Sequence, residues 1–104
     1  MSEKIKVSAP RSNPHICYIP KEYKEQIEEL KKRTNLSLYQ LLCICSRCEL
    51  NTAENIKAFK SELKSKGFRN IGEWATALIE MLYAIKEDLG HIDLASVNVK
   101  QRAE

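Results

Sequence analysis

Residues 14–20 read Pro-His-Ile-Cys-Tyr-Ile-Pro, and this stretch decides the fold. It is rich in β-branched and aromatic side chains, which favours a strand of about six residues. Because proline has no backbone N–H, a proline at each end is typical of an edge strand or a two-stranded ribbon. One short strand cannot satisfy its backbone hydrogen bonds by itself, and no other clear strand precedes the C-terminal tail. We therefore expect this strand to pair with the same strand of a second copy.

Two helices are predicted directly after the strand. Apolar residues recur at helical spacing over residues 21–34, and Asn35 suits the left-handed residue that ends a helix. The next helix begins at Ser37, where Ser37-x-x-Gln40 forms a capping-box sequence. Residues 38–50 are apolar nearly all round, which indicates burial on more than one side. A second copy of the chain would supply the extra contacts.

The C-terminal half predicts two further helices. One begins at Thr52 and ends at Gly67, and the other is capped by Asn70-x-x-Glu73 and runs to Gly90. Residues 66–74 resemble a second helix–turn–helix joint, although no strand precedes its first helix. The predicted organisation is a flexible basic arm (1–13), a strand–helix–helix domain (14–51), a C-terminal helical hairpin (52–90) and a disordered tail (91–104).

Length and composition exclude several classes of protein. The chain has 104 residues and a net charge of +3, which fits one small domain and is too short for a Rossmann domain or a TIM barrel. No apolar run is long enough to span a membrane and the N-terminus has no secretory signal, so we expect a cytoplasmic protein with reduced thiols. The spacing Cys43-x-Cys45-x-x-Cys48 lacks the two separated ligand pairs of a zinc site, and we interpret these cysteines as core residues. Isolated histidines and the lack of a glycine-rich phosphate loop argue against an enzyme, and no metal or cofactor is expected.

The order of strand, amphipathic helix, tight turn and buried helix resembles the ribbon-helix-helix family. Tyr18-Ile19-Pro20-Lys21-Glu22-Tyr23 is similar to the family's strand-to-helix joint. Asn35-Leu36-Ser37-Leu38-Tyr39-Gln40-Leu41 is similar to its interhelical turn. The resemblance covers residues 15–50, about a third of the chain, and is greatest to small regulators of archaeal viruses and plasmids and to plasmid copy-number repressors.

The resemblance implies a mainly α fold: a ribbon-helix-helix dimer with one short N-terminal strand per subunit and two additional C-terminal helices. In this family the paired strands enter the major groove of double-stranded DNA, and the N-terminus of the second helix holds a phosphate. Alternation of strand side chains, with Cys17 and Ile19 pointing inward, directs Ile16 and Tyr18 to the bases. The expected DNA-binding residues are Arg11, Ile16, Tyr18, Lys21, Lys24, Ser37, Leu38 and Tyr39. The expected dimer core is Cys17, Ile19, Ile27, Leu30, Leu41, Leu42 and Cys45.

Two functions remain open at this point. The first is a dimeric, sequence-specific DNA-binding protein that represses transcription and is of viral or plasmid type. The second is a protein-interaction module on the same scaffold, either an inhibitor of a host protein or a relaxosome or assembly accessory factor. The apolar Ile16 on the reading face and the wide apolar face of the fourth helix favour the second function. Residues 71–89 could also join two homodimers into a tetramer.

Overall fold

A computed structural model of the chain describes residues 3–10 and 14–99. The elements in chain order are β1 (Lys4–Ser8), β2 (His15–Pro20), α1 (Lys24–Thr34), α2 (Leu38–Ser46), α3 (Ala53–Ser65) and α4 (Ile71–Ala84). Short 3₁₀ segments occupy Lys21–Tyr23, Lys86–His91 and Leu94–Ser96. The fold is mainly helical with a short two-stranded antiparallel sheet at the N-terminus, which confirms the predicted fold class at this level.

The sheet forms within one chain, which corrects two predictions. Lys4–Ser8 was expected to belong to a flexible arm, and β2 was expected to pair with a second copy. Instead β1 pairs antiparallel with β2, with Lys6 opposite Tyr18 and Ile5 opposite Ile19. The reason lies in β1 itself, where charged and apolar residues alternate and Val7 is buried under the sheet. The predicted DNA-binding residue Arg11 lies outside the described residues, as do residues 1–2, 12 and 13.

The predicted helix starts and stops in the middle of the chain are confirmed. Asn35 is left-handed with a φ of 58° and ends α1. The Ser37 hydroxyl accepts a hydrogen bond from the Gln40 backbone N–H at 3.2 Å, and the Gln40 side chain accepts one from the Ser37 N–H at 2.9 Å. Asn70 caps α4 in the same way, since its side chain accepts from the Glu73 N–H at 2.8 Å. These caps fix where α2 and α4 begin.

The C-terminal end differs from the sequence prediction. The fourth helix was expected to continue to Gly90 but ends at Ala84, where the Ile85 N–H is shared between the carbonyls of Met81 and Leu82 and the chain tightens into a 3₁₀ segment. The tail was expected to be disordered, but its described part, residues 91–99, is ordered. It contacts α2, where the Arg47 side chain donates to the Ala95 carbonyl at 2.7 Å. The tail thereby covers part of α2 that a second copy was expected to cover.

One apolar cluster joins all the helices and both strands. Trp74 of α4 packs edge-on against Phe59 of α3, with ring centroids 4.8 Å apart. The residues assigned to a dimer core are all buried, and they are buried among residues of the same chain: Cys17, Ile19, Ile27, Leu30, Leu41, Leu42 and Cys45. The sequence pattern therefore identified the buried positions correctly, whereas the second chain is not needed to bury them.

Helix α4 lies very close to strand β2 at one position. A methyl group added at Gly72 would come within 2.5 Å of the Tyr18 carbonyl oxygen, which is backbone and cannot rotate away. Glycine is therefore required at this position by the close approach of helix and strand. The contact holds the N-terminus of α4 beside the ribbon.

We expect Gly72→Ala to lower the free energy of unfolding by about 1–3 kcal/mol, because the added methyl forces α4 away from β2. Gly90→Ala is the matched control, since a methyl group there meets nothing within 4 Å, and it should change the stability by less than about 0.5 kcal/mol. Urea unfolding of the two variants measures the difference. Equal stabilities would show that α4 does not press on the strand.

The buried thiol of Cys17 should make the stability pH-dependent. Burial raises the pKa of Cys17 from its ordinary 9.0 to about 12. Between these values the unfolded thiol ionises and the folded one does not, so stability is complete below pH 9 and falls as the pH rises above it. From about pH 8 to about pH 10 this thiol should account for a loss of roughly 1 kcal/mol. Cys17→Ala should unfold with a correspondingly weaker pH dependence, and an unchanged one would contradict the burial.

Candidate nucleic-acid interface

A β-bulge at Ile16 determines which strand residues face outward. Val7 lies opposite Cys17, but Ser8 lies opposite His15, so Ile16 has no partner on β1. A bulge sets two residues of one strand against one residue of the other and interrupts the alternation of side chains. Ile16 and Cys17 are accordingly both buried, each only 5% exposed. The prediction that Ile16 faces the DNA is wrong because it assumed strict alternation along the strand.

The outer face of the ribbon consists of polar side chains. Lys4 and Lys6 are exposed on β1, and His15 and Tyr18 are exposed on β2. Tyr18 is 50% exposed, the largest exposure of a large hydrophobic side chain in the described residues. The His15 and Tyr18 rings lie with centroids 4.4 Å apart, which places both on the same side of the strand. The ribbon therefore presents two ammonium groups beside a pair of aromatic rings that can donate and accept hydrogen bonds.

A groove of about 510 Å³ runs along β1, between the strand, α1 and the beginning of α2. Its charged lining consists of the lysines Lys4, Lys6, Lys21, Lys24 and Lys31 and the glutamates Glu3 and Glu28. Glu3 pairs with Lys21, and Glu28 pairs with Lys31 at 3.7 Å. Within residues 3–10 and 14–99, no carboxylate lies within ion-pair distance of the other three lysines. This side of the ribbon therefore carries an uncompensated positive charge.

The structure brings four of the predicted DNA-binding residues together in this groove, namely Lys21, Lys24, Leu38 and Tyr39. Lys21 and Lys24 are exposed, whereas Leu38 and Tyr39 are half-buried and pack against the core. Burial and a hydrogen bond with Cys43 raise the pKa of Tyr39 to about 12, so its phenol stays neutral. Ser37 is exposed at the start of α2, and its hydroxyl serves the helix cap.

A second groove, of about 880 Å³, lies on the other side of the ribbon between β2, α3 and α4. Its basic residues include Lys60 and Arg69, but Glu73 and Glu80 also line it. Arg69 donates to Glu73 at 3.2 Å, so part of this positive charge is already neutralised. The two sides of the ribbon therefore differ in charge, and the β1 side is the more basic.

Sequence reasoning missed two residues of this outer face as strand residues, because Lys4 and Lys6 were assigned to a flexible arm. His15 was placed in the predicted strand but was not among the expected DNA-binding residues. The charged–apolar alternation of Lys-Ile-Lys-Val in residues 4–7 is a strand signal that could have located the two lysines. Nothing in the sequence marks the bulge that turns His15 outward.

Residues 3–10 and 14–99 bring no three metal-ligating side chains together at one point. Burial raises the pKa of Cys17 to about 12 and that of Cys45 to about 11, which keeps both thiols protonated. Among the same residues, no helix has the length and apolar character needed to cross a bilayer.

No family model matches this chain, and no curated protein and no solved structure matches it either. The resemblance to ribbon-helix-helix proteins stays a prediction from the residues that carry it. A function is therefore inferred from the ribbon, its charge and the helices that hold it.

Substitution by lysine tests which residue faces outward. We expect Ile16→Lys to destabilise the fold by more than about 2 kcal/mol, because the bulge would place an unpaired ammonium group in the core. The neighbouring His15→Lys should leave the stability nearly unchanged, since His15 is exposed. Thermal and urea unfolding of both variants provide the measurement. The opposite order of stabilities would mean that the strand alternates strictly and that Ile16 faces solvent.

Proposed function

We propose that this protein binds double-stranded DNA by inserting the outer face of its β1–β2 ribbon into the major groove. The observation that carries the proposal is the exposed set Lys4, Lys6, His15 and Tyr18 on a two-stranded antiparallel ribbon. The major groove is about 12 Å wide and admits a ribbon of this kind. No apolar side chain interrupts this set, because the bulge buries Ile16.

The side chains of this face match the chemistry of base edges. A lysine ammonium donates to the O6 and N7 acceptors of guanine, and the tyrosine hydroxyl both donates and accepts. The histidine ring offers a donor and an acceptor when neutral. Such contacts distinguish base pairs, so the proposal is sequence-specific binding.

Contacts with phosphates would fix the ribbon in the groove. Lys24 and Lys21 lie along β1 and can reach the DNA backbone beside the ribbon. The beginning of α2 at Ser37, Leu38 and Tyr39 lies at the same side, as in the family the chain resembles. Among residues 3–10 and 14–99, no carboxylate pairs with Lys4, Lys6 or Lys24, which favours binding of an anion.

The biological role that we propose is repression of transcription by occupying a promoter, as in the viral and plasmid regulators of similar sequence pattern. The expected homodimer was to supply the second strand of the ribbon and to cover the second apolar side of α2. Strand β1 supplies that strand here, and residues 94–96 contact α2. The proposed binding through the ribbon therefore does not require a second copy.

The second function, a protein-interaction module, has lost the two features that favoured it. Ile16 is buried in the bulge rather than exposed on the strand. The apolar face of α4 is buried within the chain, as Trp74, Leu78 and Leu82 show. Residues 71–89, which were expected to be able to join two dimers into a tetramer, also bury apolar side chains within the chain.

We expect Lys6→Glu to weaken binding to a duplex by about tenfold or more, because it replaces a cation in the groove by an anion. The control is Lys57→Glu, which makes the same charge change on an exposed position of α3 outside both grooves. Duplexes selected from a random pool serve as ligand, and fluorescence anisotropy at several salt concentrations gives the affinity and its salt slope. Equal losses in the two variants would contradict binding through the ribbon, and failure to select any duplex would overturn the proposed function.

A further inference from the structure

The chain contains two similar helix–turn–helix units. Each unit places a left-handed residue, Asn35 or Gly67, between its two helices. The second helix of each is capped by a side chain that accepts from the N–H three residues later, Ser37 from Gln40 and Asn70 from Glu73. The two caps lie 33 residues apart along the chain.

The buried positions repeat at the same spacing. Leu30 and Leu63 occupy equivalent places before the two turns, and both are almost completely buried. Equivalent buried pairs follow in the second helices: Leu41 with Trp74, Leu42 with Ala75, and Cys45 with Leu78. The resemblance therefore includes packing as well as capping.

The two units lie on opposite sides of the ribbon. Helix α2 contacts β1 and borders the groove on that side, while α4 packs against β2 and borders the other groove. The strands run antiparallel, and each strand has one capped helix beside it. A symmetric homodimer builds such an arrangement from two copies of one unit, whereas this chain builds it from two different units.

The two halves present different chemistry. The β1 half carries Lys4 and Lys6, and the β2 half carries His15 and Tyr18, whose rings are tilted by 45° to each other. A dimer of identical strands presents the same residues twice and so matches a palindromic duplex. A ribbon with two different strands lacks this symmetry and does not match a palindromic duplex in this way.

We propose that one copy of this chain is the complete DNA-binding unit and that its target is an asymmetric duplex site. The inference rests on the proposed function, because it specifies the kind of duplex that the same face recognises. Each side chain of the outer face occurs once in such a complex and contacts one place in the site.

The mass of the complex tests the stoichiometry. Duplexes are selected from a random pool with the full chain, and sedimentation measures the mass of the free protein and of the complex. We expect one chain per duplex and a selected sequence without inverted symmetry. Two chains on an inverted repeat would overturn this inference and leave DNA binding intact. Failure to select any duplex would overturn both.

Selection with variants of each strand tests whether each side chain occurs once in the complex. Lys6 and Tyr18 lie opposite each other on the two strands, so we expect Lys6→Ala and Tyr18→Phe, which keeps the ring and removes the hydroxyl, each to change the preferred bases at one place in the site. The loss of discrimination at the affected positions should be about fivefold or more. Circular dichroism and unfolding confirm that each variant is folded. A change at two positions related by inverted symmetry from either substitution would indicate two symmetric copies and would overturn the inference.

Discussion

The pairing of β1 with β2 inside one chain is the interaction on which the rest of the structure depends. It provides hydrogen-bond partners for the backbone of β2, a short strand for which the sequence indicated no partner within the chain. It also places Val7, Cys17 and Ile19 in the apolar cluster, with α4 packed against β2 and α2 in contact with β1. Without β1, the apolar surface of β2 and of α2 would need a second chain.

Much of the fold could be predicted from local sequence signals. The capping side chains of Ser37 and Asn70 and the left-handed residues Asn35 and Gly67 each mark a helix boundary by chemistry that acts within a few residues. The core positions could also be predicted, because apolar residues at helical spacing form a face that must be buried. Whether that face packs against the same chain or against a second copy depends on long-range contacts, which local patterns do not specify.

The candidate site was harder to predict, and the reasons are physical. Tyr18 was found because alternation holds on its side of the bulge. Ile16 was misplaced because a bulge changes the direction of the side chains and no distinctive residue marks it. Lys4 and Lys6 belong to the outer face of the ribbon only because β1 pairs with β2. Lys24 and Tyr39 meet β1 through tertiary packing of α1 and α2, which no spacing along the chain encodes.

Because both strands belong to one polypeptide, the ribbon is closed by a connection of a few residues rather than by an encounter between molecules. The entropy lost in closing such a short connection is small and does not depend on the protein concentration. A ribbon shared between two subunits separates by mass action on dilution, since its stability depends on protomer concentration. Pairing of two strands within one chain does not depend on protomer concentration in this way.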